Sequence, residues 1–358
     1  MKKNHVDVII MGAGLSGIGA ACHLQRNCPE KTYVILEARN SMGGTWDLFR
    51  YPGIRSDSDM YTLGYNFKPW TNPKVIADGP SILSYIKETA QEYKVESKIK
   101  YNTKVTAMRW CTKDTLWSVY CLNTKTNETV VYTCNYLESC LGYYKYEKGY
   151  TPEFKGIDKY KGAVIHPQLW PEDLDYTNKE IIVIGSGATA VTLVPAMIGK
   201  AKHVTMLQRS PTYVVSVPNQ SLFPKKMNEL LPAQLMYTIN RTAHVGISML
   251  QYSLSRAQPE MMKKFFIKSP TKELSKDYDV ATHFTPKYKP WDERLCVVPE
   301  GDLFKAINKG KASVVTAHID TFTKEGILLE TGEELKADII ITATGLELQM
   351  IGGIKMYI

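Results

Sequence analysis

Val6-Asp-Val-Ile-Ile-Met-Gly-Ala-Gly-Leu-Ser-Gly17 decides the fold. Its first half, Val6 to Met11, is a short β-branched run with the look of a strand buried in a parallel sheet. Gly12, Gly14 and Gly17 follow, and Ile18 to Gln25 reads as a helix. The spacing has a mechanical logic. Gly12 permits a tight turn, Gly14 lets the backbone approach a pyrophosphate, and Gly17 lets the helix pack on the strand. The helix start, which includes Ser16, offers N–H groups and a positive dipole end to phosphates. A second strand, Thr32-Tyr-Val-Ile-Leu-Glu37, ends in an acid 20 residues beyond Gly17. A carboxylate there accepts a hydrogen bond from an adenosine ribose hydroxyl. A lone glycine triplet says little, but strand, glycines, helix, strand and acid in that order are specific.

The pattern recurs in Glu180-Ile-Ile-Val-Ile-Gly185-Ser-Gly187-Ala188-Thr189-Ala190, with Ala190 in the third small position. The next strand, His203 to Gln208, ends in Arg209 and Ser210 instead of an acid. A guanidinium pairs bidentately with a ribose 2′-phosphate, which a carboxylate would repel. The first turn therefore reads as an FAD site and the second as an NADPH site. The fold class expected is α/β, with two Rossmann-like dinucleotide-binding domains. The FAD domain is expected to be discontinuous, over 1–145 and 326–358. The NADPH domain is expected over 146–325, with a helical insertion at about 213–292. Short alternating runs from Thr103 to Cys140 predict an antiparallel meander in the first domain, and Asp338 to Gly345 predicts another buried strand.

Composition agrees. The 358 residues suggest two domains, and 44% apolar with 22% charged residues is ordinary globular composition. The seven cysteines are scattered and include no C-x-x-C pair, so no disulfide framework or metal site is indicated. Asp7 interrupts the N-terminal apolar run, against a signal peptide, and Gly185, Gly187 and Pro195 break the charge-free stretch Ile181 to Gly199, against a membrane span. A soluble, cytoplasmic protein is expected. Residues 200–294 hold 15 Lys and Arg against 7 Asp and Glu, which accounts for the whole net charge of +8. A solvated face, attraction of the NADPH phosphates, or weak peripheral contact with an anionic membrane through Met261 to Ile267 each fit that excess. No nucleic-acid motif is present.

Further motifs make the chain recognisable: Gly43-Gly-Thr-Trp46, Arg50-Tyr-Pro-Gly-Ile-Arg-Ser-Asp57, Ile165-His-Pro-Gln-Leu-Trp170, Leu207-Gln-Arg-Ser-Pro211, Pro290-Trp-Asp-Glu-Arg-Leu-Cys296 and Ala343-Thr-Gly345. Through them it resembles the class B flavoprotein monooxygenases, the flavin-containing and Baeyer–Villiger enzymes. It is most similar to the ethionamide-activating and long-chain alkane monooxygenases. The Baeyer–Villiger fingerprint is matched by Tyr160, Gly162, His166 and Trp170, with Tyr160 where Phe is usual. By resemblance His166 lies on the inter-domain linker; a core or surface histidine is the alternative.

The resemblance implies that NADPH reduces FAD and that a C4a-peroxyflavin forms with dioxygen. One oxygen atom then enters a hydrophobic small molecule: ketone to ester, or oxidation of a sulfide, thioamide, amine or long-chain alkane. It also implies that Arg294 is the cation beside the developing negative charge, that Asp57 orients it, and that Gly44, Thr45 and Trp46 lie beside the flavin. Without the family, Asp57 is one loop acid among several and Arg294 one base among many.

Three departures stand out. Where many family members carry Lys before the catalytic Arg, this chain has Glu293, which weighs against a strong NADPH preference. Leu141 replaces a hydroxyl residue at the first inter-domain crossing, and Glu138 falls in an expected buried strand. Family members also continue beyond Ala343-Thr-Gly345, so the resemblance implies an incomplete C-terminal part of the FAD domain. The alternative function is accordingly a truncated, catalytically inactive nucleotide-binding remnant. A dithiol-type flavin reductase would need the absent cysteine pair. Oligomeric state and substrate identity are not legible.

Overall fold

β1 (Asn4–Met11) lies inside a sheet because Val8 to Met11 offer nothing that water would keep; all four are buried. Each fully buried aliphatic chain of this kind contributes about 1.5–3 kcal/mol. The computed structural model describes residues 4–223 and 231–358. The chain divides into two compact units, one of Met1–Phe49, Gly79–Lys148 and Leu346–Ile358, the other of Arg50–Asp78 and Gly149–Gly345.

In the first unit β1 pairs in parallel with β2 (Tyr33–Leu36), and β2 with β3 (Ile99–Lys100). β4 (Thr103–Cys111), β5 (Leu116–Asn123) and β6 (Thr129–Ser139) form the expected antiparallel meander. Its last strand joins the other side of β1 in parallel, so the meander continues the same sheet. Glu138, opposite Ile10 on that strand, is half-buried. Helix α1 (Leu15–Asn27) turns Gly17, Ile18, Ala21 and Cys22 inward. Ile9, Met11, Val34, Leu36, Val105, Met108 and Val119 form the core on one face of the sheet. β7 (Tyr144–Gly149) then leads to the second unit.

There, β8 (Ala163–Ile165), β9 (Glu180–Ile184), β10 (His203–Gln208), β13 (Ala312–Thr316) and β17 (Ile339–Thr342) make a five-stranded parallel sheet in the order β13-β10-β9-β17-β8. Every residue of β17 is buried, the pattern of a parallel strand covered on both faces. β11 (Tyr213–Val217) and β12 (Leu295–Pro299) form a separate parallel pair. β14 (Ile319–Phe322), β15 (Gly326–Leu329) and β16 (Glu334–Lys336) form a small antiparallel sheet. The chain re-enters the first unit with β18 (Leu346–Leu348) against β7, and β19 (Lys355–Tyr357) pairs with β4.

Two expected boundaries move. The chain returns to the first unit at Leu346, not at 326, because β15 to β17 all pair within the second unit. Residues 50–78, expected in the first unit, cluster with the second. The insertion at 213–292 opens with a strand, β11, before helices Ala233–Ala257, Pro259–Glu273 and Val280–Phe284. Residues 224–230 of the expected helical stretch lie outside the described residues. In 261–267, Met262 and Phe266 are spent on packing, while Met261 and Phe265 are exposed. No described helix is long and apolar enough to cross a membrane.

Candidate functional site

The turn after β1 takes its shape from contacts that a side chain would block. Gly12 has φ +99°, and a Cβ there would lie 2.6 Å from the carbonyl oxygen of Cys140. Its N–H donates to Leu36 O at 2.8 Å, which ties the turn to β2. The loop carrying Gly43 to Trp46 closes over it: the Gly43 N–H donates to Ala13 O at 2.9 Å. At Gly44, φ is +56°, and a Cβ would come within 3.1 Å of Gly14 Cα and 3.3 Å of Tyr146 Oη. Helix α1 starts at N-cap Gly14 with no side-chain cap and no acid in its first turn, leaving its positive end to a ligand.

Glu37 is buried beside this turn. Its Oε2 accepts the Ala13 N–H at 2.8 Å and its Oε1 the Arg39 N–H at 2.9 Å. The Arg39 side chain then reaches forward: Nη1 donates to Gly44 O at 3.3 Å and Nη2 to Asp47 Oδ2 at 2.7 Å. Asp47 is buried and also accepts the Ser41 hydroxyl at 2.5 Å. Arg39 thus staples the Gly44 loop to the end of β2. The resulting cavity, about 470 Å³, is lined by Gly12, Gly14, Glu37, Arg39, Gly44, Lys104 and Tyr146 among others. Thr45 hydrogen-bonds the Tyr144 hydroxyl at 2.7 Å, and Tyr144 stacks on Tyr146 with ring centroids 5.1 Å apart. Burial raises the pKa of both phenols, keeping them neutral donors. Ser16 is exposed near the start of α1, and Trp46 is half-buried in the loop helix Thr45–Leu48.

A Cβ-free cradle, an uncapped helix and a buried acceptor beside it fit the adenosine and pyrophosphate of a flavin dinucleotide.

The second unit repeats the plan. At Gly185, φ is +126°, and a Cβ would clash with the Ala343 carbonyl oxygen. The helix Ala188–Met197 begins at N-cap Gly187, again without a side-chain cap or a first-turn acid. Ala190 is wholly buried, Thr189 is half-buried and bonds the Tyr51 side chain, and Ala188 is exposed. A cavity of about 540 Å³ gathers Gly185, Ser186, Arg209, Ser210, Thr212, Glu293 and Arg294. Ser186 Oγ and Thr212 Oγ1, both buried, are 2.9 Å apart. A Cβ on Gly187 would stand 3.2 Å from Arg294 Nη1, so the guanidinium lies against this turn. Uncapped helix, small residues and two arginines fit a second dinucleotide, here with a cationic wall.

Asp57 and Arg294 are both exposed, and both charges act on buried Cys296. Among the described residues no hydrogen bond or ion pair joins them directly, so their expected partnership is a shared neighbour and not a contact. His166 is held at both ends of its ring: Nε2 meets Gly345 O at 3.0 Å, and Nδ1 accepts the Gln168 N–H at 3.2 Å. A Cβ on Gly149 would collide with the same ring. His166 therefore lies against Gly149 and Gly345, the two ends of the second unit's longer segment. Burial lowers its pKa. Gly162 is exposed, and a Cβ there would meet the Tyr160 hydroxyl, which donates to Ala337 O at 2.9 Å. Trp170 packs edge-on to Tyr176.

Sequence reasoning missed Arg39, Lys104, Tyr144 and Tyr146 in the first cavity and Ser186 and Thr212 in the second. It also missed Gln349, Gly352 and Ile354, which line the first cavity from the chain's last segment. Only Arg39, two residues after Glu37, carried a local signal.

Comparison with known proteins agrees. Residues 9–292 match the pyridine nucleotide-disulphide oxidoreductase family. The seven cysteines are free, and burial pushes the Cys140 thiol beside the first turn up to about 11. The chain is 54% identical over 350 residues to the FAD-containing monooxygenase EthA of Mycobacterium tuberculosis, covering 98% of this chain and 71% of EthA. It is 49% identical over 354 residues to the FAD-binding monooxygenase AlmA of Acinetobacter baylyi, covering 99% of this chain and 71% of AlmA. The crystal structure of the OTEMO complex with FAD and NADP superposes with TM-score 0.77 at 26% identity, over 99% of this chain and 74% of that one. With two uncapped glycine turns and relatives of this identity and coverage, the chain belongs to the family of FAD-containing monooxygenases.

Proposed function

We propose that the chain binds FAD in the first unit and NADPH in the second, and uses them to place one oxygen atom of dioxygen into a hydrophobic small molecule. The observation that carries this reading is the contrast between two similar turns: buried Glu37 beside one, Arg209 beside the other. FAD held by Gly12, Gly14, Glu37 and the Gly44 loop would supply the redox chemistry that links a nicotinamide to dioxygen.

The chain's own residues bind and orient. Glu37 still has acceptor capacity after taking two backbone N–H groups, since an ionised carboxylate offers about four lone-pair sites, and that capacity suits a ribose diol. Gly12, Gly14 and Gly44 admit the pyrophosphate, with Arg39 fixing the Gly44 loop. Thr45 and Trp46 belong to the same loop and are assigned to the flavin's surroundings. On the NADPH side Arg209, Ser210 and Thr212 supply donors for the 2′-phosphate, and Gly187, Ala188 and Thr189 open the phosphate-facing helix. Arg294, whose guanidinium lies against that turn, is assigned to hold developing negative charge. Asp57 tunes the field around it. His166 fixes the chain at the two ends of the second unit's longer segment. Ketones, sulfides, thioamides, amines and alkanes are the candidate substrate classes.

The test is NADPH-dependent oxygen uptake by FAD-loaded protein, with a panel of apolar ketones and sulfides. Uptake coupled to product in wild type, lost in Arg294→Ala without loss of bound flavin, supports the assignment. Flavin-loaded protein that oxidises no member of the panel would overturn the assignment.

A further inference from the structure

The helix Ala233–Ala257 is anchored near both ends and bare between them. Met236, Tyr237 and Asn240 are buried in its first half, where the Arg241 guanidinium donates to Tyr61 O at 2.5 Å. Towards its end Ser255 is buried, Tyr252 meets Trp291 edge-on with ring centroids 6.1 Å apart, and Arg256 pairs with Asp292. Between these anchors all of residues 245–250 are exposed. That length is more than one full turn, so every face of the helix meets solvent there. A Cβ added at Gly246 would touch nothing within 4 Å. Yet the side chains are large and apolar: Ile247 is 52% exposed, Met249 65% and Leu250 61%. No Asp, Glu, Lys or Arg occurs from Thr242 to Ser255. A helix stretch that is apolar on all sides is ordinarily buried, in a core or in lipid.

The surroundings favour lipid. A docked protein covers one face of a helix, whereas an interface of acyl chains and headgroups surrounds it. The helix is not apolar enough to cross a membrane, which leaves it lying along the surface. Tyr252 and Trp291, both exposed, are the residue types that settle at the lipid–water boundary. The next helix, Pro259–Glu273, supplies charge: Lys264, Lys268 and Lys272 are exposed, and among the described residues none of them forms an ion pair. Lys268 shares a helix face with exposed Phe265, three residues before it. We propose that residues 243–254 are a peripheral anchor lying in the surface of an anionic bilayer, with Ile247, Met249 and Leu250 at the acyl boundary and Lys264, Lys268 and Lys272 at the headgroups. This goes beyond the monooxygenase reading and does not rest on it. The two together place the oxidation where an apolar substrate concentrates.

The experiment is flotation of the purified chain with vesicles of phosphatidylcholine alone, and of phosphatidylcholine and phosphatidylglycerol in equal parts. One variant combines Ile247→Gln, Met249→Gln and Leu250→Gln, and another combines Lys264→Gln and Lys268→Gln. All five positions are exposed, so both variants are expected to keep the wild-type thermal melt. Wild type should float with the mixed vesicles and more weakly with the neutral ones, and high salt should weaken the former. The apolar variant should bind the mixed vesicles at least about 30-fold more weakly, and the lysine variant about 10- to 30-fold more weakly. Wild type that floats with neither vesicle, or an apolar variant that floats like wild type, overturns the anchor. A lysine variant that floats like wild type overturns the choice of an anionic surface. A wild-type dimer in sedimentation velocity that the apolar variant abolishes, without flotation, assigns the helix to a second copy and overturns the proposal. Each of these failures leaves the FAD and NADPH assignments standing, since flavin content and NADPH oxidation are read separately.

Discussion

Glu37→Gln perturbs the first site at its most constrained atom pair. Both carboxylate oxygens of this buried side chain accept backbone N–H groups, from Ala13 at 2.8 Å and Arg39 at 2.9 Å. Glutamine keeps one acceptor and turns the other into a donor, so one N–H faces an NH₂ group whichever way the amide is flipped. Losing a hydrogen bond to a charged group costs about 1.5–3 kcal/mol, and an unpaired buried N–H costs about 1–3 kcal/mol. The two overlap, which sets the expected loss at about 2–4 kcal/mol of stability in flavin-free protein. The same change removes the charge offered to the ribose, so FAD affinity is expected to fall by about 10- to 100-fold. Urea unfolding of the flavin-free protein reads the first effect, and quenching of FAD fluorescence on titration reads the second. A variant within about 0.5 kcal/mol of wild type, with unchanged FAD affinity, would falsify the role given to Glu37.

Three further outcomes are expected. Gly12→Ala combines φ +99° with a Cβ 2.6 Å from Cys140 O, a strain of at least about 1–3 kcal/mol, and flavin content measured at 450 nm should collapse. Arg39→Met leaves buried Asp47 without its 2.7 Å partner; because the Arg39 side chain is 27% exposed, the cost is set at about 1.5–3 kcal/mol, below the figure for a fully buried pair. Faster release of FAD in a dilution assay should accompany it. For His166, burial holds the folded-state pKa below the ordinary 6.5, so the unfolded chain binds more protons in acid. The stability that neutral His166 contributes is full above about pH 6.5 and is lost as pH falls through the depressed folded value. Thermal melts from pH 7.5 to 5 should therefore fall less steeply for His166→Asn than for wild type, from a lower start.

What the sequence revealed and what it hid divide along local and long-range physics. β1, its glycine turn and Glu37 were legible because strand, turn and acid follow one another within a single nucleotide-binding unit, and the same holds for β9, Gly185, Gly187 and Arg209. The Cys140 carbonyl that forces glycine at position 12 is 128 residues away, and no local pattern announces it. No motif in the sequence singles out Tyr144 or Tyr146, yet packing brings them to Thr45 and Gly44. The return point of the first unit falls later than expected because the sequence of β15 to β17 does not say which sheet each strand joins. Only pairing of β17 with β8 and β9 settles its place. Asp57 and Arg294 were singled out by resemblance alone, since exposed loop charges carry no signature of their own.

The most direct test is the visible absorption spectrum of the purified chain, followed by anaerobic addition of NADPH. A yellow protein whose flavin peaks bleach is the result expected from two assembled dinucleotide sites. A colourless protein that takes up no FAD on reconstitution would contradict the assignment of the first cavity. Flavin peaks that persist under NADPH would contradict that of the second.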